Sequence, residues 1–286
     1  MQIKEFFDPA TSTLSYVVSG SASAEAVVID PVWNLDLASG QLSQASVNKI
    51  LEYLEEENLE LKMILETHAH ADHLTGAQLL KKKYPKAVLA IGDRIAEVQG
   101  LFRDHLNFPS EFRADGSQFD RLLKDGEDFS LEELHFQVMH TPGHTPACCV
   151  YLIGGYAFVG DLIFMPDGGT GRCDFPGGSA KQLYHSIHEK LYSLPDATQL
   201  MMCHDYQPDG RDLKFQVSLR DQKEGNIHLK ASTTEQEFVE FREDRDRSLS
   251  APRLLYPSLQ VNLTGGRLPE ADSKGRRFLS IPLHEA

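Results

Sequence analysis

An α/β fold in which two sheets stack face to face, with helices covering the outside, is what the sequence predicts. Three observations carry that expectation. Short apolar runs bounded by turn residues recur in both halves of the chain. Segments of helical spacing separate several of them. Polar residues of metal-binding type stand repeatedly where the runs end.

In order, the runs 3–7, 14–18 and 26–29 are separated by Asp8-Pro9 and Ser19-Gly20-Ser21 and read as sheet strands. Across 47–59, Val47, Ile50, Leu51 and Leu54 fall on one helical face with glutamates opposite, so a helix is expected. Met63, Ile64 and Leu65 form the next strand, and 74–84 is expected to be a helix. Residues 88–91 continue the alternation, after which 100–120 reads as irregular. Strands follow at 134–139, 147–153 and 156–159, the last two joined by Gly154-Gly155 as a hairpin. A helix over about 179–193 and a strand at 199–203 complete a second half built like the first. Beyond His204 charged residues crowd 211–253, which reads as a helical lobe, and 254–283 is expected to be an ordered extended tail.

A chain of 286 residues with 41% hydrophobic content can bury a large core. No apolar stretch approaches the roughly 20 residues needed to span a bilayer, and the start, Met1-Gln2-Ile3-Lys4, lacks the features of a signal peptide, so a cytoplasmic protein is expected. The net charge of −14 argues against nucleic-acid and membrane partners, which need a basic surface. Cys148, Cys149, Cys173 and Cys203 include no Cys-x-x-Cys pair and read as core thiols of a reducing compartment.

The chemistry is concentrated in Thr67-His68-Ala69-His70-Ala71-Asp72-His73, directly after an apolar strand. Imidazoles and a carboxylate on one short loop can converge on a cation. Helix capping by Asp72 or Thr67 would explain the polarity but not the histidines. Downstream, His144, Asp161 and His204 each follow an apolar run, as does Asp30 earlier. Alone, each is explained as a turn, cap or surface residue. Together they point to one edge of the stacked sheets, where rigid elements hold ligand geometry tightly.

In this order the loop cluster, Thr141-Pro142-Gly143-His144-Thr145, Gly160-Asp161 and His204-Asp205-Tyr206 resemble the metallo-β-lactamase superfamily over residues 1 to about 230. The resemblance implies the αββα fold. It also implies a two-metal pattern: His68, His70 and His144 at one position, Asp72, His73 and His204 at the other, Asp161 between. Residues 141–148 and Gly171-Arg172-Cys173-Asp174-Phe175 are similar to the branch containing glyoxalase II and the persulfide dioxygenases, with Cys173 in place of a threonine. The segment 207–212 looks more like a bacterial second type of persulfide dioxygenase.

That branch implies one Fe(II) per chain, held by His68, His144 and Asp161, the two-histidine, one-carboxylate set of non-haem iron oxygenases. His70, Asp72, His73 and His204 would then orient the ligands or mark a vestigial second metal site. The implied substrates are glutathione persulfide and O2, the products sulfite and glutathione. A catalytic domain over 1–210, a C-terminal lobe and tail over 211–286 packed on it, and a homodimer are also expected.

Glutathione carries two carboxylates, so Arg172, Arg211 and Lys214, with the Tyr206 phenol, are candidate substrate contacts. An ion pair with Asp174 is the competing explanation for Arg172, and solvated surface for Arg211 and Lys214. Cys173 reads as a packing residue, and His105 and His140 as structural or solvent-exposed. The alternative activity is a glyoxalase II-type dinuclear zinc thioester hydrolase. A non-catalytic metal-binding module is the alternative of another class.

Overall fold

A computed structural model describes residues 1–22 and 24–283. β1 (Gln2–Asp8), β2 (Thr13–Ser19) and β3 (Glu25–Ile29) form an antiparallel meander. A ribbon of β4 (Val32–Asp36) and β5 (Gln41–Ser43) leads into α1 (Ala45–Glu56), which buries the expected stripe of Val47, Ile50 and Leu54. β6 (Glu60–Glu66) pairs parallel to β3, and the connection to β7 (Leu74–Thr75) is the histidine loop. After α2 (Ala77–Lys83), β8 (Val88–Gly92), α3 (Ile95–Arg103) and β9 (Arg121–Leu123), the first sheet has the order β1-β2-β3-β6-β8-β9.

The second sheet begins with β10 (Asp128–Leu131), β11 (Leu134–His140), β12 (Cys149–Ile153) and β13 (Tyr156–Phe158), paired antiparallel in sequence. The chain then passes through α4 (Ala180–His185), with Ser179 as its cap, to β14 (Gln199–Met201), parallel to β13. β15 (Gln216–Ser218) closes the edge, and α5 (Leu219–Gly225), α6 (Glu235–Asp246) and α7 (Leu255–Asn262) follow.

Opposite faces of each strand bury different partners. Leu14, Tyr16 and Val18 of β2 meet Phe136, Tyr151 and Phe158 of the second sheet. Val17, with Ala26 and Val28 of β3, faces the helices instead. Each large apolar side chain buried is worth about 1.5–3 kcal/mol, and a slip of one residue would exchange the two faces, so the register is strongly specified. In β6 the pairing jumps from Leu61 to Met63, leaving Lys62 as a bulge. Leu61 and Ile64 consequently face the helices while Met63 and Leu65 face the other sheet. Two buried phenols tie the layers where the strands end: Tyr16 donates to Met202 O at 2.6 Å and Tyr151 to Glu66 O at 2.7 Å.

Three expectations need correction. Residues 74–84 are not one helix, because Leu74 and Thr75 pair with β4 and the Thr75 hydroxyl accepts from Ala77 N at the start of α2. The segment 100–120 opens inside α3, which buries Ile95, Val98 and Phe102 at helical spacing. The tail 254–283 is not extended throughout, since α7 occupies its start. Pro257 falls in the first turn of α7, where its missing N–H has no intrahelical partner to lose. Among the described residues no helix is long and apolar enough to cross a membrane.

Candidate metal centre

Asp30 follows β3, the loop 67–73 follows β6, His144 lies in the turn after β11, Asp161 follows β13 and His204 follows β14. Buried together at this edge are His68, His70, His73, His144, Asp161 and His204, with Asp72 half-buried. Gly160 makes the approach possible: its φ of +52° suits glycine, and a Cβ there would lie 2.8 Å from Thr67 Oγ1. Gly171 likewise passes against Asp161, whose carbonyl oxygen a Cβ would meet at 2.0 Å.

Hydrogen bonds on the outer side of each ring decide which nitrogen faces inward. His144 Nδ1 donates to Arg172 O at 2.7 Å. His68 Nδ1 lies 3.0 Å from Thr67 Oγ1, whose own proton goes to Asp30 Oδ2 at 2.8 Å, so the ring is the donor. His204 Nδ1 faces Ser12 O at 3.3 Å. These rings leave Nε2 as the lone-pair atom. His70 is reversed, with Nε2 donating to Asp30 Oδ1 at 2.9 Å.

The inward atoms have no hydrogen-bond partner. His68 Nε2, His70 Nδ1, Asp72 Oδ2, His73 Nε2, Asp161 Oδ1 and His204 Nε2 are all buried and unsatisfied. Buried polar atoms without partners are costly, and six aimed at one place fit a cation. With His144 added, these residues include two groups whose ligand atoms lie within 4.8 Å of one another: His68, His144 and Asp161, and His70, Asp72, His73 and His204. Asp161 links them, its Oδ2 at 3.9 Å from His68 Nε2 and 3.7 Å from His144 Nε2, its Oδ1 at 3.2 Å from His204 Nε2.

Electrostatics follow from the shared burial. Burial opposes charge on Asp161, yet His204, with His68 and His144, holds its carboxyl well below the usual range. Burial, then His70, pushes His68 far down, toward the neutral ring a metal requires. His70 and His204 are raised against burial, to about 9 by Asp30 and to about 10 by Asp72 and Asp161. Behind them Glu66 is pushed up to about 8 by burial and then by Asp30, and it accepts from the Thr75 hydroxyl. Protons on His70 and His204 must leave when a cation enters.

A cavity of about 430 Å³ opens directly onto this cluster, lined at its floor by Ala71, Asp72, His144, Asp161, Phe164 and Tyr206. Its rim carries Arg172, Arg245 and Arg253.

The Metallo-beta-lactamase superfamily description matches residues 8–204. The chain belongs to this superfamily. It is 45% identical to a probable metallo-hydrolase of Burkholderia pseudomallei, covering 99% of both proteins. It is 32% identical to the mitochondrial persulfide dioxygenase of Homo sapiens over 71% of this chain and 68% of that protein. Among solved structures, ETHE1 from Myxococcus xanthus superposes with a TM-score of 0.74 at 28% identity, covering 93% of this chain and 100% of that one. Some curated relatives are longer: the chain spans 64% of the beta-lactamase hydrolase-like protein of Agrobacterium fabrum. The two stacked sheets with outer helices are the metallo-β-lactamase fold expected from the sequence.

Within this superfamily fold, the expected substrate contacts separate. Tyr206, 58% exposed, lines the cavity and stacks on His204 with 5.7 Å between ring centres. Arg172 lines it too, but its guanidinium is forked on Asp174 at 2.6 and 2.5 Å and donates to Ser250 O at 2.7 Å. Arg211 and Lys214 are not among the residues that line this cavity. Arg211 is held by Asp167 and Asp205, and Lys214 is exposed with only its backbone N–H on Asp205. Cys173 is buried, and burial raises its thiol pKa, as a packing residue requires.

Arg245 and Arg253 were not singled out from the sequence. Neither guanidinium forms an ion pair among the described residues, and both face the cavity. Single arginines in a charged segment carry no pattern that would mark them. Asp30 was placed by its strand end, though its part is to hold His70 and Thr67 rather than to face the pocket.

Proposed function

We propose that the protein is an enzyme, an iron-dependent persulfide dioxygenase that oxidises glutathione persulfide with O2 and water to sulfite and glutathione. The observation that carries this reading is the convergence of His68, His144 and Asp161, two imidazoles and one carboxylate. The 32% identity to a persulfide dioxygenase supports it. An Fe(II) ion there, one per chain, would supply the redox chemistry by which O2 oxidises the outer sulfur.

The chain's own residues do the positioning. Arg172 O, as acceptor, occupies Nδ1–H of His144 and turns Nε2 toward the pocket. Asp161, held ionised, contributes negative charge, and its Oδ1 engages His204. Arg245 and Arg253 offer charge to the two glutathione carboxylates, with Arg172 and Tyr206 on the adjoining wall. Phe164 and Leu249 add apolar surface to the same lining. In this reading residues 1–210 form the catalytic domain and 211–286 a lobe and tail packed on it, of which 284–286 lie outside the described residues, in a cytoplasmic homodimer whose four cysteines stay unpaired.

One observation favours a second reading. His70, Asp72, His73 and His204 form a complete further donor set, and a relative is named a probable metallo-hydrolase. A glyoxalase II-type thioester hydrolase would use both sets for two zinc ions. Oxygen uptake with glutathione persulfide, measured beside metal content, tests the proposal. One iron per chain with stoichiometric sulfite is expected. Two zinc ions with thioesterase turnover would overturn it, and protein with neither metal nor oxygen uptake would be a binding module.

A further inference from the structure

Asn262 ends α7, and its side-chain amide is directed entirely at the segment that carries the histidines. Nδ2 donates to His70 O and to His73 O, both at 2.8 Å, across 192 and 189 residues of chain. Oδ1 accepts from Thr75 N at 2.8 Å. Asn262 is 4% exposed, and these contacts use both N–H donors and the acceptor. A loop lacks the ladder partners of a strand, so its buried carbonyls need a side chain of this kind. His70 and His73, whose carbonyls it gathers, belong to one donor set.

The helix that presents Asn262 is itself well fixed. Leu259 packs into the helix-side core, and Val261 packs with Trp33 and Leu74. Gln99 donates to Leu263 O at 2.9 Å and Gln78 to Gly265 O at 2.6 Å, fastening the end of α7 to α3 and α2. An amide on a mobile segment could not define a loop. Here the helix end of the contact is fixed by packing and by two hydrogen bonds.

We propose that Asn262 is a positioning residue of the metal centre, setting the spacing of His70 and His73 and so making metal affinity depend on the C-terminal helix. The inference rests on the reading of the cluster as a metal site. It does not depend on which reaction that metal serves.

Co(II) titration of metal-free protein, followed by the absorption of the bound ion, tests it. Asn262→Asp keeps the acceptor for Thr75 N but turns a carboxylate oxygen toward two carbonyls, and Asn262→Ala removes the amide. Both are expected to weaken Co(II) binding by about 10- to 100-fold and to alter its spectrum, the usual consequence of losing a group that orients ligands. Ile153→Ala, buried at the end of the second sheet away from the cluster, is expected to lower the thermal midpoint while leaving affinity and spectrum as in wild type.

Wild-type affinity and spectrum in both Asn262 variants would overturn the proposal. So would an Ile153→Ala loss equal to theirs, since affinity would then follow stability alone. Failure of the unaltered protein to bind Co(II) would instead overturn the metal reading beneath it. Should neither Asn262 variant fold, hydrogen exchange on the unaltered protein decides. Co(II) is expected to slow exchange at Thr75 N–H and along α7, and unchanged exchange there would overturn the link.

Discussion

Asp30 accepts a hydrogen bond from His70 Nε2 at 2.9 Å, and this contact decides which nitrogen of His70 faces the metal pocket. A carboxylate only accepts, so Nε2 holds the proton and Nδ1 is left buried without a partner. Asp30 also accepts from Thr67 N at 2.7 Å and Thr67 Oγ1 at 2.8 Å, from a backbone at φ +48°. Left-handed backbone at a non-glycine residue persists only where its surroundings hold it. One side chain therefore sets both the start of the ligand loop and the tautomer of a ring within it.

We predict that Asp30→Ala weakens metal binding by about 10- to 100-fold, as losing an orienting carboxylate does elsewhere. Metal titration beside thermal unfolding checks it. A lowered midpoint with unchanged affinity would reduce Asp30 to a strut of the loop.

The cavity rim gives a second prediction, because only unpaired cations are available to a substrate. Arg245→Ala and Arg253→Ala are each expected to raise KM for glutathione persulfide about tenfold, the equivalent of about 1.4 kcal/mol, with kcat near wild type. Added salt should raise the wild-type KM in the same direction. Arg211→Ala is expected to leave KM alone and lower stability, since Asp205 is 2% exposed and loses its partner. Steady-state kinetics of the three variants would reverse the assignment if Arg211 alone changed KM.

The ligand positions were legible in the sequence because each follows an apolar run, and a strand end is a place that periodicity can locate. His68, His144, Asp161 and His204 all gained their meaning this way. Helix α7 was not legible: Pro257 reads as a breaker, and Pro257 through Asn262 are all buried, which erases the polar face that marks a helix. β9 and β15, three residues each, are too short to show a period. The partners of arginines are set by tertiary structure, so the sequence alone marks neither the ion pairs of Arg211 with Asp167 and Asp205 nor the place of Arg245 in the cavity lining.

His228 supplies a pH dependence. Its Nδ1 accepts from Thr170 N at 2.9 Å, which requires the unprotonated ring, and burial followed by Arg242 and Arg245 lowers its pKa to about 4 from 6.5. With the folded value below the unfolded one, the unfolded chain binds more protons between these values, and stability rises with pH there. The contribution is complete above pH about 6.5 and is lost as pH falls toward about 4. His228→Asn can keep an acceptor for Thr170 N without titrating. Thermal midpoints at pH 7 and 4.5 should fall less in this variant than in wild type, and equal falls would remove His228 as a source.

The pair Arg242 and Asp246 on α6 gives the last prediction. Arg242 is 1% exposed, with Nη2 on Asp246 Oδ1 at 2.5 Å and Nη1 on Thr170 O at 3.2 Å. Asp246 Oδ2 accepts from Cys173 N at 2.7 Å. The two side chains thus hold the chain on both sides of Arg172, whose carbonyl orients His144. Asp246→Ala leaves a buried guanidinium without its counter-charge and is expected to destabilise the protein by about 3–5 kcal/mol. Replacing both, as Arg242→Met with Asp246→Leu, should recover much of that stability, because apolar pairs of similar volume substitute well for buried ion pairs. Metal affinity should stay below wild type in the double variant, since neither new side chain can hold Thr170 O or Cys173 N. Chemical denaturation and metal titration on the same samples separate the two effects, and full recovery of affinity with stability would confine the pair to a structural role.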